Sequence, residues 1–308
     1  MWLLRVLLLG ILALLFSVTA HARLLLITSQ DSPIYQEFQR GVLGALVKGG
    51  VEEMDIRSAD DIARLDLTPY SAIIIAGIDA AKALAGRDLL NKSLIYTMLP
   101  LSSYEWLHDN GMLMPQHKLL YIDQPPSRYV QLVRSAMPEA AAIGYLHGET
   151  SAAYSDEIKK IVDVAKLHLI QADLVSSDKL SNLLKNVFAD SDAVLLLPDP
   201  FFYNRRVVQE VLLASFRHKR PLVVYSESFL KAGAMLALFS TPEQIGRQTA
   251  EMFNCLARPC YSAIAQRSAP KYFSVMVNEV VARQMGIKSR SAEELQRYLE
   301  SVETALPR

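Results

Sequence analysis

The chain has 308 residues, and its 32 basic and 32 acidic side chains cancel to a formal net charge of zero. No basic stripe is therefore present to neutralise nucleic-acid phosphates. A hydrophobic content of 51% supports well-buried cores and excludes intrinsic disorder, and the length suffices for one large domain or two small ones.

The first 22 residues read as a leader and not as part of the fold. Arg5 gives a basic start, Val6 to Phe16 is almost unbroken apolar sequence, and Ser17 to Ala22 turns small, ending Ala20-His21-Ala22. That small-x-small ending is what signal peptidase reads, so export to the periplasm with maturation at Arg23 is expected. The alternative is an uncleaved anchor, since the apolar run is nearly long enough to span a bilayer. No cysteine stands near the cleavage point, which argues against a lipoprotein.

Beyond the leader, short β-rich apolar runs alternate with amphipathic helical stretches, as in a parallel sheet covered by helices. Leu24 to Ile27 is a first strand, and Tyr35, Phe38, Val42 and Leu46 mark one helical face. Ala72 to Ala76 is a buried strand with a short helix from about Asp79, and Ser93–Met98 and Lys118–Ile122 are two more strands. At Asp123-Gln124-Pro125-Pro126 the paired prolines stop regular structure and suit a crossing between domains.

A second series follows. Tyr129, Leu132, Val133 and Ala136 form a helix face; Ile158, Ile161, Val162 and Ala165 form another. Leu180, Leu183, Leu184 and Val187 make a third helix, and Val207, Val208, Val211 and Leu212 a fourth. Strands are expected at Ala141–Leu146, Leu169–Leu174, Ala193–Leu197 and Leu222–Tyr225. Ala234–Phe239, a helix from Pro242 to about Leu256, Tyr272–Val277 and a final helical region complete the chain.

The fold class expected is α/β, with two doubly wound parallel-sheet lobes joined by a hinge. Residues 23–122 plus 242–264 are assigned to the N-terminal lobe, and 123–241 plus 265–308 to the C-terminal lobe. Ligands of such sheets sit outside the carboxyl ends of the strands, so two facing lobes would share one cleft and close on it. Cys255 and Cys260 are the only cysteines. A close even pair in an exported chain is expected to form a disulfide, and no His or third Cys nearby suggests zinc.

The second half then becomes recognisable. The segments YVQLVRSAMPEAAAIGYL (129–146), DAVLLLPD (192–199), PLVVYSESFLKAGA (221–234), IGRQTAEM (245–252) and FSVMVNEVVARQMGI (273–287) occur in this order. Together they resemble the substrate-binding proteins of an ABC-transporter family with the type I periplasmic-binding fold, whose better-known members bind aromatic or branched amino acids. The resemblance covers 127–287 well and the first lobe weakly. Where the family has a Gly-Thr turn after the third strand, this chain has Gly77-Ile78-Asp79. Where the family has an Asn-Pro…Asn-Ser turn, this chain reads His147-Gly148-Glu149-Thr150-Ser151-Ala152-Ala153-Tyr154. The aspartate ending the lobe's third strand is kept as Asp199, but Pro200, Phe201, Phe202 and Tyr203 replace the usual polar residues after it. These departures point away from an amino-acid ligand.

The strand ends supply the candidate ligand-binding residues: Ser29, Gln30, Asp79, Tyr154, Asp199, Phe201, Ser226 and Glu227. Asp199 suits an amine, but before Pro200 it equally suits a helix cap, as do Ser29 and Asp31 for the first helix. The three aromatics at 201–203 either stack on a flat ligand or fill the lobe interface. No nucleophile elbow, zinc helix, dinucleotide loop or P-loop is present. His147 alone among the histidines stands at a strand end, with no identifiable catalytic partner. No catalytic residue, metal or cofactor is expected, and the chain is read as a non-enzyme. The expected partners are a small-molecule ligand and either an ABC permease or a membrane signalling protein, with no nucleic acid, the protein itself being a monomer. The first choice makes it a solute receptor for import, the second a periplasmic sensor. N-terminal sequencing of the exported protein should start at Arg23; an intact Met1 in the membrane fraction would show an anchor instead.

Overall fold

Strand β1 (Arg23–Thr28) carries Leu24, Leu25, Leu26 and Ile27 in succession, all fully buried. Such an unbroken apolar run is what a central strand with helices on both faces requires. The computed structural model describes residues 23–46, 54–174, 180–256 and 260–305; the expected leader lies outside the described residues. After β1 come α1 (Pro33–Leu46), β2 (Met54–Ser58), β3 (Tyr70–Ala76), α2 (Ile78–Ala83), β4 (Ser93–Leu99), α3 (Ser103–Asp109) and β5 (Lys118–Tyr121). Alternate residues of β1, β3 and β4 face two cores. Leu25, Ile27, Ile73, Ile75, Leu94 and Tyr96 lie in one, with Leu107 of α3. Leu24, Leu26, Ile74 and Ile95 lie in the other, with Phe38 and Val42 of α1 and Ile245 of α9 (Pro242–Asn254).

Helices α1 and α9 touch backbone to backbone. A Cβ on Gly41 would stand 2.1 Å from the Glu243 carbonyl oxygen, and one on Gly246 would stand 2.2 Å from that of Phe38. Only glycine permits this approach, and it fastens a helix from late in the chain onto the first sheet.

The second sheet is built from β6 (Ala142–His147), β7 (His168–Asp173), β8 (Ala193–Leu196), β9 (Leu222–Val224), β10 (Leu236–Phe239) and β12 (Ser274–Val277). Its helices are α4 (Pro126–Ala136), α5 (Ser155–Val164), α6 (Leu180–Asp190), α7 (Arg205–His218), α8 (Glu227–Ala232), α11 (Glu279–Met285) and α12 (Ala292–Ala305). One core holds Tyr129, Leu132 and Val133 of α4 with Ile143, Tyr145, Leu295 and Leu299; the opposite one holds Leu146, Leu184, Phe188, Leu196, Val207 and Val211. With β11 at Arg267–Ser268, the strand orders are β11-β5-β4-β3-β1-β2 and β12-β10-β9-β8-β6-β7. The architecture is therefore the expected α/β pair of wound sheets.

Three details differ from the sequence reading. The edge strand β2 was not among the expected strands; its sequence MDIRS is only half-buried and lacks an apolar run. The boundary expected at 264/265 falls later, because β11 (Arg267–Ser268) pairs with Leu119 and Leu120 and so completes the free edge of the first sheet. Strand β12 runs antiparallel to β10, although the rest of the sheet is parallel. The chain enters it directly from the first sheet, with no helix to reverse its direction, whereas α4 intervenes before β6.

The chain thus crosses between the sheets three times, at 122–125, 240–241 and 269–273, and the crossings are bonded to one another. Gln124 Nε2 donates to Ser240 Oγ at 2.8 Å, and Ser240 Oγ donates to the Tyr272 carbonyl at 2.5 Å. Thr241 and Gln244 form a reciprocal cap at the start of α9, while Gln244 Nε2 also donates to the Phe273 carbonyl at 3.2 Å. Gln248 donates to the Ala269 carbonyl at 3.0 Å and accepts from the Lys271 amide at 2.6 Å.

The expected disulfide is present: Cys255 follows the last residue of α9, Cys260 opens α10 (Cys260–Ala263), and their Cα atoms lie 5.4 Å apart. Closing so short a loop stabilises the native state by about 2 kcal/mol in the chain-entropy model. Titration of the unfolded, unreduced protein should find no free thiol, and reduction should lower stability in urea by about that amount. Two free thiols would contradict the pairing.

Candidate functional site

Most of the small polar residues at the strand ends turn out to shape the loops. In the first sheet Ser29 Oγ accepts from the amides of Asp79 (3.0 Å) and Ala80 (3.2 Å), so the residue after β1 caps the helix after β3. Gly77 between them has φ +94°, and a Cβ there would lie 2.1 Å from the Tyr35 hydroxyl and 2.4 Å from Ser29 Oγ. Gln30, Asp31 and Asp79 are exposed on this rim, with Asp31 accepting from Gln36 Nε2 at 2.9 Å. Further along the same edge the Arg267 guanidinium lies 4.4 Å from the centroid of the Tyr104 ring.

In the second sheet the Asp199 carboxylate is bonded to two loops. Its side chain is 2% exposed. Oδ2 accepts from the Ser151 amide at 2.7 Å and from Ser151 Oγ at 2.8 Å, and Oδ1 accepts from the Phe201 amide at 2.8 Å. Gly148 passes so close that a Cβ would sit 2.4 Å from Oδ1. The Tyr145 hydroxyl donates to the Ser151 carbonyl at 2.5 Å. One carboxylate therefore caps the turn after β8 and also clamps it to the turn after β6. The physical reason is that a buried carboxylate must have its lone pairs filled, and backbone amides fill them here.

Ser226 is likewise a cap, accepting from the Phe229 amide at 3.4 Å, and Glu227 is a half-exposed partner of Lys231 at 2.8 Å. The aromatic run after Asp199 divides. Phe202 is buried in the core, Phe201 is half-buried and edge-on to it at 6.1 Å, and Tyr203 is 76% exposed. Tyr225, at the end of β9, packs 5.2 Å from Phe229. Burial pushes its hydroxyl pKa up, with Tyr203 and Asp199 adding to the shift, so it stays a protonated donor at neutral pH. The His147 ring lies 5.2 Å from Tyr145, and its buried Nδ1 has no hydrogen-bond partner.

Tyr154 lies near the first crossing, where burial raises its hydroxyl pKa and the nearby Asp123 carboxyl adds to the rise. Asp123 is 5% exposed, and its Oδ2 accepts from the Leu101 amide at 2.6 Å. Leu101 belongs to the loop after β4, and Tyr154 to the turn after β6. Burial raises the Asp123 pKa, and the Leu101 amide and the nearby Tyr154 hydroxyl only partly offset it. One carboxyl group thus holds the loop after β4 and stands near the turn after β6. In the sequence Asp123 stands out only as part of a crossing, and Ser151 and Tyr225 do not stand out at all. A serine ahead of a helix and a tyrosine ending a strand carry no special signal by themselves.

Residues 123–301 match the family described as ABC transporter substrate binding protein. The chain belongs to that family. Its proteins are solute-binding components that work in the periplasm or outside the cell, taking up small molecules for ABC permeases. A conserved domain protein from Vibrio cholerae is similar at 17% identity and TM-score 0.57, covering 90% of this chain and 98% of that one. A ligand-free, open substrate binding protein with adhesive properties from Clostridium difficile is similar at 14% identity and TM-score 0.70, covering 88% and 97%. A pneumococcal ABC domain in complex with L-Trp shows 15% identity and TM-score 0.55, covering 89% and 98%. These likenesses establish the type I periplasmic-binding fold. No curated protein matches the chain. Among the described residues, no helix of this substrate-binding protein is long and apolar enough to cross a membrane.

Asp199→Ala should destabilise the fold by about 3 kcal/mol, since it removes a cap and leaves the Ser151 and Phe201 amides without their acceptor. Asp199→Asn should fall between this variant and wild type. Urea unfolding measures both. A loss of about 1 kcal/mol or less in the alanine variant would mean that Asp199 is an ordinary cap.

Proposed function

We propose that this protein is a solute receptor for import: it traps a small organic ligand between the strand ends of its two lobes and presents it to an ABC permease. The observation that supports this most is the Asp123 carboxyl, bonded to the Leu101 amide and standing close to the Tyr154 hydroxyl. Loops from the carboxyl ends of both sheets then border one cleft, where ligands of wound α/β sheets bind. The reading makes the lobes 23–121 with 242–268 and 126–239 with 274–308, hinged at the three crossings. Ligand contacts that exist only with the lobes together shift the open–closed equilibrium toward closure. No chemical step is assigned to the cleft, and the receptor acts as an exported monomer.

The chemistry at the strand ends favours a flat, largely apolar ligand. Phe201, Tyr203 and Tyr225 offer rings on the second lobe, and such rings bind planar groups through area and stacking together. Tyr154 supplies a hydroxyl near the cleft base, and Gln30 and Asp79 supply polar groups from the first lobe. Glu227 stands at the rim. Ser29, Ser226 and Asp199 act indirectly, by fixing the loops that carry these groups.

The test begins with native mass spectrometry of protein purified from its own envelope, to identify the molecule that co-purifies. After its removal, adding it back should compact the protein in small-angle scattering. Phe201→Ala and Tyr225→Ala should each weaken its binding by roughly tenfold or more, equivalent to about 1.4 kcal/mol, without loss of fold. Unchanged affinity in both variants, with no compaction of wild type, would overturn the reading.

A further inference from the structure

Arg128, in the first turn of α4, is 6% exposed, and its guanidinium makes four hydrogen bonds. Nη1 donates to Gln124 Oε1 and to the Pro270 carbonyl, both at 2.7 Å. Nε donates to Glu303 Oε1, and Nη2 to Glu303 Oε2 at 2.9 Å. The guanidinium carbon lies 4.4 Å from the centroid of the Phe273 ring. Gln124 belongs to the first crossing and passes the connection to Ser240 of the second, while Pro270 and Phe273 belong to the third. Glu303 is in the last turn of α12, two residues beyond the segment that matches the family.

Helices α4 and α12 are both fixed in the second lobe through Tyr129, Leu132, Val133, Leu295 and Leu299 of its core. Leu295 and Leu299 already dock α12, so the core does not require Glu303 to hold that helix. The carboxylate instead completes a two-bond fork on a guanidinium that grips two crossings. Such a charge-assisted fork holds direction as well as distance.

We propose that Glu303 and Arg128 are positioning residues of the hinge, with the C-terminal helix acting as a strap that anchors the second-lobe ends of the crossings and confines lobe rotation to their first-lobe ends. This rests on reading the crossings as the hinge. Its consequence is that the resting lobe angle and the stiffness of closure are set at the crossings and not by the strand-end loops.

Hydrogen–deuterium exchange on the unliganded full chain tests the strap without any ligand. In Glu303→Gln the amides of 122–125 and 269–274 should exchange roughly tenfold faster than in wild type, as expected for loss of a charge-assisted fork. Those of β6 and β8 should keep their protection. Arg128→Lys, which keeps the charge and loses the fork, should loosen the same two segments. Small-angle scattering of both variants should show a broader spread of lobe angles. If faster exchange is confined to 292–305 while the crossings and the scattering match wild type, Glu303 merely secures its own helix and the strap is wrong. Because no ligand enters the experiment, that failure leaves the receptor reading standing. Conversely, crossings that loosen as described would support the strap even in a protein that never compacts on ligand.

Discussion

Three backbone crossings packed side by side have polar groups with no sheet to bond to, and their mutual hydrogen bonds are the constraint on which the two-lobed structure depends. The chain Gln124–Ser240–Tyr272 links all three crossings through one serine hydroxyl that both accepts and donates. Gln244, Gln248 and Arg128 satisfy the third crossing from both lobes. Leaving one such buried group unmade costs about 1–3 kcal/mol, so the set holds together. The crossings keep the sheets adjacent, and adjacency is what lets Asp123 meet loops from both.

The loops at the strand ends follow from the same accounting. Short helices begin at each of them, and their first amides need acceptors. Ser29, Asp199 and Ser226 provide these. What remains at the surface of the second-lobe loops is rich in aromatic rings and hydroxyls. The asparagine-based turn of the better-known relatives is absent, and a Tyr145–Ser151–Asp199 network holds the equivalent turn in shape.

Much of the fold was legible in the sequence because its central strands are buried on both faces. Leu24–Ile27, Ala72–Ala76 and Ala141–Leu146 stand out as apolar runs for that reason, and Phe38, Val42 and Leu46 repeat as one buried helical stripe. The edge strands were harder. Strand β2 is half-buried throughout, and β11 is two residues long and exists only because β5 has a free edge to offer. The direction of β12 depends on where the chain re-enters the second sheet, which no local pattern encodes. The site was legible as a set of strand ends but not as a set of roles. Asp199 before Pro200 fits both an anchor and a cap, and nothing local tells that Ser151, 48 residues earlier, donates to its other oxygen. Likewise, nothing local separates Phe202, which turns into the core, from Phe201 and Tyr203 beside it.

The central claim is that one cleft, bounded by the carboxyl ends of both sheets, is where this protein holds its ligand. A crystal structure of the protein purified from its native envelope with its ligand retained tests that most directly. The account predicts density for a small flat molecule in contact with both lobes, lying between the loops that carry Gln30 and Asp79 on one side and Phe201 and Tyr225 on the other. Density confined to one lobe, or lodged in the outer groove between the 271–275 segment and α12, would contradict it.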